Sequence, residues 1–223
     1  MITVHHLNNS RSTRVLWLLE ELGVPYEIKP YERGADLRAP ASLRKVHPLG
    51  KSPVVTDDES GSTMAESGAI LEYLLDRFDT ESKFRPKSGT PERWQYNYWL
   101  QYPEASLMPQ LLLALIFGMM EKQKLPFFVK PIVRKIVRTV KSKTYGPELQ
   151  NHFEFIEAEL AKRPYLAGQS FSAADIQMSY PLEAGGGRTD ALEGKPKISG
   201  YLARLRERPA YARAIERGGP VAL

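Results

Sequence analysis

The sequence predicts two domains, a mixed α/β domain over residues 1–80 followed by an all-α domain over residues 91–223. In the first eighty residues the apolar pattern changes period several times, whereas every long periodic segment after residue 90 has helical spacing. The stretch between them, TESKFRPKSGTPER, is polar, contains Pro and Gly, and has no apolar period. We therefore predict a linker over residues 81–90.

The first domain begins with a predicted strand, helix and strand. ITVHHL (2–7) is short and β-branched, and turn residues separate it from a helix that starts near Thr13. Apolar residues then recur at helical spacing until Gly23 supplies a stop and Pro25 prevents continuation. YEIKPY (26–31) has the pattern of a second strand, which completes a βαβ unit.

The rest of the first domain predicts a short helix, a hairpin and a longer helix. SLRKV is the candidate short helix, and PVVTDD and STMA are two short strand candidates on either side of the turn residues 58–61. ESGAILEYLLDRF (66–78) repeats apolar residues at helical spacing and predicts an amphipathic helix that packs on the sheet. The predicted element order is β-α-β-α-β-β-α.

The composition excludes several classes of chemistry. Hydrophobic residues make up 42% of the chain and charged residues 26%, which is typical of a globular protein. Because the chain has no cysteine, it has no disulfides, no Cys-ligated metal and no thiol nucleophile of its own, and we predict no metal site. The amino terminus lacks a signal-peptide pattern, and the apolar stretch 111–120 is too short to span a bilayer, so we expect a cytoplasmic protein.

The net charge of +5 is unevenly distributed. Residues 1–80 have 9 basic and 12 acidic side chains, whereas the rest of the chain has 22 and 14. Much of the excess lies in KPIVRKIVRTVKSK (130–143), where apolar residues fall on one helical face and cations on the other. This pattern is typical of a solvated helix face, and attraction to anionic ligands or to a membrane surface is the alternative.

Four motifs carry a resemblance to a known family. SRSTRVLWLLEELGVPYE, HPLGKSPVV, ESGAILEYL and FSAADI occur in the order and spacing of the cytosolic glutathione transferases, and the chain looks closest to the fungal and bacterial branch. The resemblance implies a thioredoxin-like first domain that binds glutathione as co-substrate, with no other cofactor. It also implies a helical second domain that lines a hydrophobic co-substrate pocket, a homodimer, and a role in detoxification.

The resemblance assigns the glutathione-binding residues. Pro53 is expected to follow a cis peptide bond, with the backbone of Ser52 pairing with the cysteinyl unit in the manner of a β-strand. Lys51 and Arg38 are expected to meet the glycyl carboxylate. His47 is instead interpreted as part of a structural turn before Pro48.

A second group of binding residues opens the predicted helix at 66–78. Free N–H groups and the positive end of a helix dipole bind carboxylates, and Ser67 is placed to take the γ-glutamyl carboxylate in this way. The Glu66 carboxylate is expected to accept from the γ-glutamyl ammonium. Ordinary N-capping explains the same residue types without a ligand.

The group that activates the sulfur is expected in the loop NNSRS. Relatives place Tyr, Ser or Cys there, and this loop has no Tyr or Cys. We therefore predict distributed activation by Asn9, Ser10, Ser12 and backbone N–H groups, with Arg11 contributing its charge. At least one of these residues is expected only to cap the helix that follows.

The second domain supplies the remaining predicted site residues. By resemblance, Tyr102 faces the sulfur and Ser106 lies in the co-substrate pocket. Gln101 or Glu104 is expected to reach the glutathione of a partner subunit. Most other aromatic and Met residues of this segment are assigned to packing, because a stripe at helical spacing usually belongs to a core.

FSAADI (171–176) is interpreted as a folding signal. Ser172 as N-cap and Asp175 three residues later form a capping box, and Phe171 and Ile176 have the spacing of a hydrophobic staple. We expect Asp175 to be buried and important for stability rather than to act as a catalytic acid.

These observations favour a transferase that conjugates glutathione to hydrophobic electrophiles. The alternatives are a glutathione-dependent peroxidase or reductase, and a noncatalytic interaction module of the same fold. Nucleic-acid binding is disfavoured, because the aromatic residues lie in apolar helices rather than among the cations.

Overall fold

A four-stranded mixed sheet forms the first domain of the computed structural model, which describes residues 1–220. The elements are β1 (Ile2–Leu7), α1 (Thr13–Leu22), β2 (Tyr26–Tyr31), a 3₁₀ turn (Ala41–Lys45), β3 (Val54–Asp57), β4 (Ser62–Ala65) and α2 (Ser67–Phe78). The strand order is β2-β1-β3-β4, and β1 pairs in parallel with β2 and antiparallel with β3. The predicted order of strands and helices is confirmed.

The local signals in the sequence explain these boundaries. Gly23 ends α1 in the left-handed conformation, with φ +66°, and its N–H bonds to the carbonyl of Leu19. Val15 and Leu18 are fully buried against the sheet, and burial of each such side chain stabilises the fold by about 1.5–3 kcal/mol. Helix and sheet therefore share one apolar core.

The second domain is helical throughout its regular structure. Its helices are α3 (Pro91–Tyr102), α4 (Met108–Lys122), α5 (Lys130–Val140), α6 (Gly146–Lys162), α7 (Ala173–Arg188), α8 (Pro196–Arg206) and α9 (Pro209–Gly218). Residues 79–90 contain no helix or strand, and α3 begins at Pro91 after the N-cap Thr90, whose hydroxyl accepts from the N–H of Arg93. The domain limits given above stay predictions.

The run from α3 to α4 is continuous through a π-helical turn at Pro103–Leu107. This run, Pro91–Lys122, is long and apolar enough to cross a membrane by length and composition, a test that core helices also pass. The π turn widens the helix by one residue and turns Glu104 toward the first domain, where it meets Arg14.

α7 is the central helix of the molecule. Every residue from Phe171 to Gly185 is buried. The backbone carbonyl of Gln177 accepts a hydrogen bond from Arg14 of α1, and its side chain reaches Ser67 at the start of α2. The helical domain thus holds both helices of the first domain.

Acidic residues of the first domain form ion pairs with basic residues of the second domain. Glu21 of α1 binds Arg208, and Glu20 binds both Arg213 and Arg217 of α9. These ion pairs join the two domains of the same chain, because α9 packs along α1.

The capping residue Asp175 is fully buried, as predicted. Its carboxylate accepts from the backbone N–H and hydroxyl of Ser172, the N–H of Leu166 and the hydroxyl of Tyr201. Burial raises the pKa of this carboxyl, and its hydrogen bonds oppose that rise. Asp175 therefore connects the loop before α7 to α8 as well as capping α7.

We expect Asp175→Asn to lower the free energy of unfolding by at least about 2 kcal/mol, because the amide loses charge and places a donor among buried donors. Asp58→Asn, in the exposed turn between β3 and β4, should change it by less than about 0.5 kcal/mol. Urea unfolding measures both. Equal midpoints for Asp175→Asn and the parent would contradict the assignment.

Candidate functional site

A small cleft lies where three loops of the first domain meet the π-helical turn. It is bounded by the start of α1, the loop before β3, the start of α2 and the residue after Pro103. The lining residues are Arg11, His47, Leu49, Lys51, Ser52, Pro53, Ala65, Glu66, Ser67 and Glu104.

The cis peptide bond predicted before Pro53 is confirmed. The Ser52 hydroxyl points into the sheet, where it donates to the carbonyl of His5 at 3.1 Å and accepts from the N–H of Leu7 at 3.3 Å. The side chain of Ser52 is therefore engaged with β1. The residue also lines the cleft.

The start of α2 forms the opposite wall. Glu66 has a φ of +69°, an uncommon value for a residue other than glycine, and such strain concentrates at functional sites. Ser67 is buried, and its hydroxyl accepts from the amide of Gln177 at 3.2 Å. Within residues 1–220 the N–H groups of Ser67, Gly68 and Ala69 have no recorded acceptor, so this helix start presents free donors to the cleft.

A chain of hydrogen bonds runs from the cleft into the protein. The Ser10 hydroxyl lies 3.5 Å from that of Ser52 and 2.6 Å from that of Ser12, which is 2.8 Å from His6 Nδ1. His6 Nε2 lies 2.7 Å from the carbonyl of Gly218 at the end of α9. Burial lowers the pKa of His6, so the neutral ring, which donates from Nε2 and accepts at Nδ1, fits this chain.

Arg33 fixes the first half of the NNSRS loop. Its guanidinium donates to the carbonyls of Asn8, Asn9 and Leu37, and Asn8 accepts from its backbone N–H. Asn9 has a φ of +49°, a conformation that Asn tolerates better than most residues. This exposed loop is thus held by backbone contacts.

Two arginines and one glutamate close the cleft on the helical side. Arg14 is 1% exposed, and it donates to Glu104 at 2.7 Å and to the carbonyl of Gln177 at 2.8 Å. Arg11 Nε lies 3.1 Å from the same Glu104 oxygen. Glu104 therefore balances a buried charge and a half-exposed one, and both guanidinium groups lie over the Tyr180 ring.

The loop before β3 contributes Lys51 and His47 to the outer wall of the cleft. Lys51 is exposed, and His47 is partly buried, with a Nδ1 atom that is inaccessible to water and has no hydrogen-bond partner among the described residues. A buried ring nitrogen without a partner is uncommon. Among the described residues, no three His, Asp or Glu side chains gather as a metal site requires.

Comparisons with known proteins agree along the whole chain. The family models "Glutathione S-transferase, N-terminal domain" and "Glutathione S-transferase, C-terminal domain" match residues 1–76 and 119–209. Glutathione S-transferase 3 of Schizosaccharomyces pombe is 42% identical over 97% of this chain and 88% of its own length. Glutathione S-transferase 1 of Saccharomyces cerevisiae is 39% identical over 97% of this chain and 95% of its own.

The chain belongs to the glutathione S-transferase family, a family of enzymes. The resemblance to its fungal and bacterial branch and the thioredoxin-like fold are confirmed. A solved glutathione S-transferase from Actinobacillus pleuropneumoniae has a TM-score of 0.75 and 33% identity, covering 98% of this chain and 93% of its own. A Phanerochaete chrysosporium transferase solved with oxidized glutathione has a TM-score of 0.78 at 21% identity, over 97% and 94%, and shows the same fold.

The structure brings most of the predicted site residues of this transferase together. One set lines the cleft and consists of Arg11, Lys51, Ser52, Pro53, Glu66 and Ser67. Ser10 lies directly behind Ser52, and Asn9 is at the exposed rim of the same loop. Their roles toward a ligand stay predictions.

Other predicted residues lie elsewhere. Ser12 is fully buried and its hydroxyl is used by His6 and Ser10, so it is not a donor facing the cleft. The Arg38 side chain is 85% exposed beside Asp36, at 3.9 Å, because its loop turns back on itself before the 3₁₀ turn. Arg38 does not line the cleft.

The residues predicted from the second domain also differ in place. Tyr102 is buried among Trp99, Phe155 and His152, and its hydroxyl contacts His152 Nδ1, so it lies in an aromatic cluster away from the cleft lining. Ser106 is partly buried in the π turn and does not line the cleft. Gln101 is exposed on α3.

Glu104, expected at a partner subunit's site, lines the cleft of its own chain, because the π turn aims it at Arg11 and Arg14. What Gln101 and Glu104 do toward a second subunit stays a prediction.

Sequence reasoning missed four supporting residues. His47 was assigned to a turn, although it precedes Lys51 in the same loop and a ring nitrogen there can serve both roles. Arg14 and Gln177 are buried polar residues within otherwise apolar helical faces, which was the available signal. Nothing in the sequence indicated the role of Arg33, because its partners are backbone carbonyls, which no residue type identifies.

A larger cavity, of about 820 Å³, lies elsewhere in the helical domain. It is bounded by α4, α5, α6 and residues 189–195, and it shares no lining residue with the cleft. Its walls include Arg134, Lys141, Glu121 and Glu193. This cavity is therefore separate from the cleft, and its walls carry both charged and apolar side chains.

Proposed function

We propose that the cleft binds glutathione and that the enzyme conjugates its thiolate to hydrophobic electrophiles. The observation that carries this proposal is the charge arrangement of the cleft. Lys51, His47 and the start of α2 offer groups for two carboxylates, and Glu66 offers a carboxylate for an ammonium. Glutathione is a tripeptide with two carboxylates and one ammonium, and it would be the co-substrate, with no other cofactor.

The orientation of the tripeptide follows from the two walls. The γ-glutamyl carboxylate would accept from the free N–H groups at Ser67, with its ammonium on Glu66. The glycyl carboxylate would lie on Lys51 and on His47, whose partnerless nitrogen it would satisfy. The cysteinyl unit would then cross the backbone of Ser52, which directs its sulfur toward the start of α1.

Activation of the sulfur requires donors at that point. The pKa of a free thiol is near 8.5, and it must be lowered by roughly two units, about 2.7 kcal/mol, for the thiol to be mostly thiolate at neutral pH. Within residues 1–220 the N–H groups of Ser10 and Arg11 have no recorded acceptor, and the Arg11 guanidinium lines the cleft. With an aryl halide, the thiolate forms a C–S bond, halide leaves with its bonding pair, and the thiol proton passes to solvent.

The relatives support this function. Those that are 39% and 42% identical are named as glutathione S-transferases, and solved structures of the same fold contain glutathione or its oxidized form. A cytoplasmic location and a role in detoxification fit such an enzyme. Glutathione-dependent peroxidase or reductase activity would use the same thiolate.

A homodimer fits the exposed face of α3. Trp94, Tyr98 and Gln101 lie on one side of this helix by their spacing, and the two aromatic residues are 67% and 48% exposed. Such a face, when self-complementary about a two-fold axis, buries its aromatic rings in a dimer.

We expect the parent to sediment as a dimer at micromolar concentration and Trp94→Glu to shift it toward monomer, because a charge would be buried at the interface. Leu37→Glu, at an equally exposed position of the first domain, is the control. A parent that sediments as a monomer at all micromolar concentrations would show that no such dimer forms.

We expect Glu66→Gln to weaken glutathione binding about tenfold or more, because an ammonium loses a charge-assisted hydrogen bond. Glu81→Gln, exposed in the segment between the domains, should leave the affinity unchanged. Titration calorimetry measures both. If the parent produces no heat at several millimolar glutathione, the proposed function is wrong.

Distributed activation makes a separate prediction. Ser10→Ala and Asn9→Ala should each raise the pKa of the bound thiol by at most about two units, since the backbone donors persist. Ser12→Ala should leave this pKa near that of the parent but lower the free energy of unfolding by about 1–3 kcal/mol, since it strips His6 of a buried partner. Ultraviolet titration of the bound thiolate, together with urea unfolding, separates these effects. A solution-like thiol pKa in Ser12→Ala alone would overturn the distributed scheme.

A further inference from the structure

The positive charge of the molecule is concentrated in one segment that contributes no residue to the cleft lining. Residues 119–145 contain eight Lys and Arg side chains and one acid, Glu121, for a net charge of +7. The rest of the chain, with 23 basic and 25 acidic side chains, has a net charge of −2. The basic character of the protein therefore belongs to this segment alone.

These eight cations differ from most arginines elsewhere. All eight are exposed, and none of them makes an ion pair within residues 1–220. By contrast, Arg14, Arg77, Arg85, Arg208 and Arg213 each bind a carboxylate of the same chain. A cluster of exposed cations that make no ion pair with the described part of the chain attracts anions from outside.

Large apolar side chains project from the same segment. Phe127 is 87% exposed, Phe128 65%, Ile132 61% and Ile136 48%, and we call these four residues the Phe–Ile patch. Phe128, Ile132 and Ile136 recur every four residues, so they form one stripe that begins just before α5 and continues along it. Val137 is buried, so α5 packs on the body through a different side and leaves this stripe outside.

Apolar and cationic groups interleave at the edge of the patch. Phe127 shares a surface groove with Lys130, Arg134, Lys135 and Arg138. Exposed phenyl and aliphatic groups beside several lysines and arginines are the combination by which a helix lies in a membrane interface, with apolar groups among the acyl chains and cations at the headgroups.

We propose that the Phe–Ile patch and its surrounding cations bind the surface of a membrane that contains anionic phospholipids. α5 would lie along the interface without crossing the bilayer, while the cleft stays open to solvent because it shares no residue with this surface. Aliphatic side chains can insert among lipid acyl chains, but they offer no aromatic face on which nucleic-acid bases could stack. The two isoleucines of the patch therefore favour lipid over nucleic acid. The proposal does not depend on the proposed function.

Vesicle sedimentation of the full chain tests this proposal. We expect the parent to bind vesicles of phosphatidylcholine with about 30% phosphatidylserine at least about tenfold more strongly than vesicles of phosphatidylcholine alone, and to be released by 0.5 M salt. Phe127→Ser/Phe128→Ser should lose at least tenfold in partition coefficient. Leu37→Ser, which removes an apolar side chain exposed in the first domain, should not.

A second pair of variants tests the charges without touching the apolar stripe. Lys135→Gln/Arg138→Gln should weaken binding to the anionic vesicles several-fold, and the control Lys83→Gln/Lys87→Gln removes two exposed charges near α3 and should behave as the parent. Circular dichroism melting establishes that all variants are folded.

The proposal is overturned if the parent does not bind anionic vesicles, or if both patch variants bind them as the parent does. It is also overturned if the parent does not bind vesicles and Phe127→Ser/Phe128→Ser changes only the oligomeric mass of the protein in sedimentation. In that case a second copy of the chain would cover the patch. Binding to duplex DNA in the absence of vesicle binding would assign the cations to nucleic acid.

Discussion

Arg14 is the side chain through which the cleft is tied to the helical domain. Its buried guanidinium reaches the backbone of α7, the Glu104 carboxylate in the π turn and the carbonyl of Arg11 in its own loop. A charge in that position costs several kcal/mol of desolvation unless each of its donors is satisfied. The arrangement that places Gln177 and Glu104 around this guanidinium also puts Gln177 against Ser67 at the start of α2. One buried charge is thus satisfied by the same residues that form the helical side of the cleft.

The sequence was a good guide where structure depends on neighbours along the chain. The strands, the stop at Gly23 and the hairpin were predictable because short-range period and turn chemistry decide them. The capping role of Asp175 was also local, whereas its bond to Tyr201 was not. The position of Arg14 in an apolar helical face hinted at its burial, but its partners could not be identified, because they lie 90 and 163 residues further along the chain.

The candidate site divides in the same way. Lys51, Glu66 and Ser67 follow from motifs of a few residues, so they were found. Whether a serine of the loop after β1 faces the cleft or the core depends on the path of that loop in three dimensions. Ser12 lies on the core side, where its hydroxyl contacts His6. The direction of Glu104 depends on a π turn, which short-range helical spacing does not predict, and its partner Arg14 lies 90 residues away in the chain.

The contact between His6 and Gly218 spans 212 residues and joins the first strand to the last helix. Gly218 must be small there, since a Cβ would lie 2.4 Å from Leu16 Cδ1 and 3.2 Å from His6 Cε1. Domains usually fold from the amino terminus during synthesis. In this chain, the hydrogen bond between His6 and Gly218 can form only after α9 has left the ribosome. The nascent first domain would therefore form its sheet before the hydrogen-bond chain behind Ser52 gains its last link to the helical domain.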